Sequence, residues 1–121
     1  MEMPKQMRDK LALFQNVQNQ LQMLSMQKQQ LVLQSAEVDN ALEELGKAGK
    51  GRIYKAAGSL LIETNRGEAD KFLKDTKDTS SARIQILEKQ EKKLAEKFSQ
   101  LKGELEEMLG GQGAQKPPAA G

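Results

Sequence analysis

Two long stretches of the chain carry apolar residues at spacings that alternate between three and four. In the first stretch, one seam position holds Met7, Phe14, Leu21, Lys28, Ser35 and Leu42. The other holds Lys10, Val17, Leu24, Leu31, Val38 and Leu45. In the second, Leu73, Ser80, Leu87, Leu94, Leu101 and Met108 alternate with Asp70, Lys77, Ile84, Glu91, Phe98 and Leu105. This is the narrow stripe of a coiled coil, not the broader face of a globular helix. The pattern predicts helices over 4–45 and 67–109. Leu45 back to Met7 spans the same separation as Asp70 on to Met108, so the seams match when the helices fold back antiparallel, with both termini at one tip. Polar residues at Lys10, Lys28 and Ser35 weaken the seam but can fix its register. The polar stretch at Asp70, Lys77 and Ser80 is expected to be looser.

Between the helices the period changes to two. Residues 53–64, IYKAAGSLLIET, read as strands Ile53–Ala56 and Leu60–Thr64 about a Gly58-Ser59 turn. Gly58 supplies the positive φ required at the first position of a type II′ turn. Pairing across it puts Ile53, Lys55, Leu60, Ile62 and Thr64 on one face, and Tyr54, Ala56, Leu61 and Glu63 on the other. Both faces carry large apolar side chains. Two strands alone are marginal in water and leave both edges unpaired. The hairpin is therefore expected to find its missing strands on other subunits, through Ile53, Tyr54, Leu60, Leu61 and Ile62.

Residues 46–52 form a basic, glycine-rich linker, with Gly46 expected as the left-handed cap of the first helix. The spacing of Gly46 and Gly51 is superficially that of a phosphate-binding loop. Arg52 and Ile53 stand where Lys and Ser or Thr would be needed, and a strand follows instead of a helix. A helix-to-strand linker is the better reading. Asn65 and Glu68 have capping-box spacing at the start of the second helix, with Glu68 reaching back. Asp70/Lys74 and Glu88/Lys92 have the favourable i,i+4 order. Gly110-Gly111 ends that helix, and 110–121 reads as a flexible Gly/Pro/Ala tail.

Composition narrows the chemistry. Hydrophobic residues make up 37%, aromatics 3% and charged residues 30%, with no tryptophan, which suits long exposed helices better than a large core. With no His and no Cys, the usual general base, thiolate nucleophile and most metal ligands are missing. Glu43-Glu44 and Glu106-Glu107 are adjacent and diverge around a helix, so they read as solvated charges. Neither catalysis nor a cofactor is expected. A net charge of +2 gives no strong electrostatic case for nucleic acid or an anionic membrane, and the basic set Lys47, Lys50, Arg52 and Lys55 has little aromatic support and sits on the expected assembly face. Absence of a membrane-length apolar run or a signal-peptide core makes a cytoplasmic protein the expectation.

The predicted tip carries Met1, Met3, Met7, Leu11, Leu13 and Phe14 from the first helix, and Leu105, Met108 and Leu109 from the second. Met7, Phe14, Leu105 and Met108 can be read simply as seam residues. Leu11 and Leu13 lie off the seam, and clustered exposed apolar surface usually marks binding. Methionine adapts to varied partners. Met23, Met26 and Leu33 also lie off the seam and could extend the patch.

Heptad, hairpin and heptad, with Tyr54-Lys55-x-x-Gly58-x-x-Leu61-Ile62 and then Glu68-Ala69 opening the second helix, resemble the β-type subunits of archaeal prefoldin from about Pro4 to Leu109. A single hairpin is similar to the β type, since α-type subunits carry a longer middle section with two. The resemblance implies a mostly α fold, a long antiparallel two-helix coiled coil joined by one β-hairpin that assembles into an inter-subunit β-barrel platform. It implies a hetero-hexamer of two α-type and four β-type subunits with six coiled-coil tentacles. Such an assembly would hold unfolded client polypeptides without ATP and pass them to a group II chaperonin. Carried onto this chain, client contacts fall on Met3, Met7, Leu11, Leu13, Phe14, Leu105, Met108 and Leu109. A structural coiled-coil spacer or adaptor that binds a folded partner is the alternative.

Overall fold

The computed structural model describes residues 3–111, in the order α1 (Lys5–Lys47), β1 (Ile53–Ala57), β2 (Leu60–Thr64) and α2 (Arg66–Gly111). Met1 and, from residue 112 onward, the expected tail lie outside the described residues. Gly110 and Gly111 are still helical.

α1 runs 43 residues because nothing from Lys5 to Leu45 interrupts it: Leu, Gln, Lys, Met and Ala, all good helix formers, dominate, with neither Gly nor Pro. The Pro4 carbonyl accepts the first helical bond from the Arg8 amide at 3.0 Å. The C-terminus differs from expectation. The helix passes through Gly46 to Lys47, whose ammonium pairs with Glu43 one turn back at 3.3 Å. The left-handed residue is Gly49, with φ of 63°, in place of Gly46. It stands two residues beyond the helix, where such a cap belongs. At α2 the expected cap forms: the Glu68 amide donates to Asn65 Oδ1 at 2.8 Å, and the Ala69 amide to the Asn65 carbonyl at 2.9 Å. The reciprocal half of the expected capping box differs: the Glu68 carboxylate accepts from the Thr64 hydroxyl at 3.4 Å, in place of the Asn65 amide.

The chain packs as two compact units, a terminal unit made of the chain before Gln27 and after Leu87, and a hairpin unit over Gln27–Leu87. In the terminal unit Lys10 meets Glu104 and Phe14 stacks on Phe98, so α1 and α2 run antiparallel. Its core is Met7, Val17, Leu101 and Leu105. In the hairpin unit Arg66 reaches the Gly49 carbonyl at 2.6 Å and Lys77 reaches Asp39 at 2.5 Å, again antiparallel. Its buried residues are Val38 and Ser80. The polar stretch at Asp70, Lys77 and Ser80 is thus packed, not splayed. No buried side-chain polar atom among the described residues lacks a hydrogen-bond partner.

All the seam positions read from the heptads are buried or half-buried. Even so, no side chain among the described residues is completely buried. Two helices can cover only one line of residues between them, so most apolar seam residues are half-buried and contribute less than the ~1.5–3 kcal/mol of a fully buried apolar side chain, the exceptions being Met7, Val17, Val38, Leu101 and Leu105.

Candidate functional site

The hairpin is the first candidate surface. Its strands pair antiparallel with Ile53 opposite Thr64, Tyr54 opposite Glu63, Lys55 opposite Ile62, Ala56 opposite Leu61 and Ala57 opposite Leu60. β1 therefore extends one residue beyond expectation, and the two faces are those the sequence pattern predicts. Gly58 has φ of 62°, which a two-residue hairpin loop requires at this position. Relative exposure is 66% for Leu60, 72% for Leu61, 51% for Ile62 and 50% for Tyr54, while Ile53 is half-buried. Large apolar side chains are thus uncovered on both faces. Among the described residues the sheet has only these two strands, so each strand has an unpaired edge.

Beside the hairpin lies a cavity of about 670 Å³. Leu45, Ile53, Ile62, Phe72 and Leu73 supply apolar walls, and Glu44, Glu63 and Glu68 supply carboxylates. The ammonium of Lys55 sits 3.8 Å from the centroid of the Phe72 ring. Sequence pattern missed this pair. The available signal was Phe72 itself, an aromatic residue on neither seam position and close to the hairpin.

The second candidate surface is in the terminal unit. Met7 and Leu105, read from the sequence as contacts for a client, are 4% and 8% exposed and belong to the core. Phe14 is half-buried, its ring 4.6 Å from that of Phe98 with an interplanar angle of 23°. Leu11 and Met108 are half-buried. Met3, Leu13 and Leu109 are exposed, as are Met23 and Met26. The apolar set thus divides into residues that hold the helices together and residues left facing solvent. Lys10, polar on the seam, is bound to Glu104, and that hydrogen bond holds the Glu104 carboxyl below the usual carboxylate range. In the hairpin unit Val32 and Leu33 are also exposed.

No group of His, Cys, Asp or Glu among the described residues could hold a metal ion, and no helix among them is long and apolar enough to cross a membrane.

Helix, single hairpin and helix, with a heptad seam on both helices, define a class of coiled-coil hairpin chains. The family model described as "Prefoldin subunit" matches residues 8–112, and the chain belongs to that family. Prefoldin subunit beta of Methanosarcina acetivorans is 39% identical over 110 residues, covering 90% of this chain and 94% of that one. Prefoldin subunit beta of Methanococcoides burtonii is 39% identical over 113 residues, covering 93% and 97%. Among solved structures, the prefoldin beta subunit from Thermococcus strain KS-1 superposes with a TM-score of 0.79 at 32% identity, covering 96% of this chain and 98% of that one. The two long helices joined by one hairpin are those of a prefoldin beta structure.

Proposed function

We propose that the chain is the β-type subunit of an ATP-independent holdase that works in the cytoplasm. Its hairpin joins those of other subunits in a β-barrel platform, four β-type with two α-type chains. The observation that carries this proposal is the hairpin with Tyr54, Leu60, Leu61 and Ile62 half or more exposed on its two faces and both edges open. Two strands alone are marginal in water, and strands from neighbouring subunits would cover both apolar faces and pair both edges.

Clients are unfolded polypeptides, which meet Met3, Leu13 and Leu109, with Leu11 and Met108 at the margin. Each contact is weak, since burial is worth only about 25 cal/mol per Å² and one chain exposes few such side chains. Several chains on one platform act together, so avidity supplies the hold. Met7, Phe14 and Leu105 serve by keeping the helix pair closed. Release to a group II chaperonin needs no nucleotide, because a competitor for the same apolar segments suffices.

The test replaces Met3, Leu13 and Leu109 together with serine and measures light scattering from a denatured enzyme diluted into the assembled complex. Assembly and helicity should be unchanged while suppression of aggregation falls. Undiminished suppression by a properly assembled variant would count against the client assignment.

A further inference from the structure

Lys55 is the only charged residue on a strand face otherwise made of Ile53, Ala57, Leu60, Ile62 and Thr64. Neither catalysis nor helix pairing accounts for it. Phe72 is equally unexplained by the seam: it lies off both seam positions and is 45% exposed. The two meet, with Lys55 Nζ 3.8 Å from the ring centroid, well inside the range of a cation–π contact. At the base of the hairpin Arg66 bonds the Gly49 carbonyl at 2.6 Å, which anchors the linker entering β1 but leaves the strand face itself free to tilt. The cavity of about 670 Å³ opens between the strands and the helix residues Leu45, Phe72 and Leu73. The Thr64 hydroxyl bond to Glu68 is long, at 3.4 Å, and exposed.

We infer that Lys55 and Phe72 form a strut that sets the orientation of the hairpin on α2. By fixing that angle over a hollow, the strut presents Leu60, Leu61 and Ile62 to neighbouring subunits in one geometry. Both are positioning residues. Their part in assembly rests on the proposed role of the hairpin, but the strut can be measured independently of it.

In the isolated chain, the ε-methylene protons of Lys55 should be shifted upfield by the ring, and the shift should vanish in Phe72→Leu. Tyr54 is the only tyrosine and there is no tryptophan, so intrinsic fluorescence reports the hairpin alone. Its anisotropy should fall in Lys55→Gln and Phe72→Leu and be retained in Lys55→Arg, which keeps a cation over the ring. Mixed with an α-type prefoldin subunit and followed by sedimentation, Lys55→Gln and Phe72→Leu should each weaken association about two- to five-fold. The double variant Lys55→Gln/Phe72→Leu should be no worse than the weaker single one.

Unshifted Lys55 protons, additive single effects, or a Lys55→Arg chain as loose as Lys55→Gln would overturn the strut. A wild-type chain that does not associate at all would instead sink the role of the hairpin in assembly, while the proton shifts and anisotropy still decide whether the strut exists.

Discussion

Removing either ring of the Phe14–Phe98 stack should destabilise the terminal unit, and removing both should cost less than the two single changes together. The centroids are 4.6 Å apart and both side chains are half-buried. Full burial would make a Phe→Ala change cost ~3–5 kcal/mol, so half-burial brings each single change to about 2 kcal/mol. Aromatic pairs at this separation add ~0.5–1.5 kcal/mol beyond area burial, a term lost once in either single variant and only once in the double. Phe14→Ala and Phe98→Ala should each lower the unfolding free energy by about 2 kcal/mol, and the double variant by about 3 kcal/mol, not 4. The assay is urea unfolding followed by circular dichroism at constant protein concentration, because a chain that associates has concentration-dependent stability. Additivity within ~0.3 kcal/mol would mean the rings do not touch, and the antiparallel register of the terminal unit would be wrong.

Other consequences follow from single contacts. Gly58→Ala meets no atom within 4 Å of the added Cβ, so its cost is the backbone at φ of 62°, about 1–2 kcal/mol, read as faster amide exchange across the β1–β2 ladder. Glu104 is held below the usual carboxylate range by the hydrogen bond from Lys10. Its contribution to stability is therefore complete above the unfolded carboxylate pKa and is lost as pH falls through the lowered folded value. Glu104→Gln should flatten the acid limb of a stability–pH profile, and an unchanged limb would show that the pair carries no linkage.

The seams were legible because a heptad needs only periodicity, and polar residues on it did not break the pattern. Lys10 and Lys77 find Glu104 and Asp39 across the helix pair. The hairpin was legible because Gly58 can take a φ that few other residues adopt. The helix end was misplaced for a related reason. Gly46, Gly49 and Gly51 can all take a left-handed φ, and sequence offers no basis for choosing among them. The Glu43–Lys47 pair and the Arg66 bond to the Gly49 carbonyl accompany the later stop, and the second is a contact between distant residues. The apolar tip set was only half legible. Composition says that Met7, Leu13, Leu105 and Leu109 avoid water, but not that the facing helix covers Met7 and Leu105 and leaves the other two exposed. Lys55 over Phe72 has no period and no motif, so only the fold reveals it.

If the hairpin joins subunits, the mass of the complex depends on it. Ile62 is half exposed on a strand face and sits opposite Lys55. Ile62→Asp places a carboxylate where the proposed barrel would be dry. Lys55 stands opposite, but taking such a pair out of water still costs several kcal/mol per ion, and the pairing would draw Lys55 off the Phe72 ring. Native mass spectrometry of the chain with an α-type subunit should show a hexamer for the wild type and only small species for Ile62→Asp, with helicity retained in both. A wild-type chain that stays monomeric, or an Ile62→Asp complex of undiminished mass, would contradict that joining role.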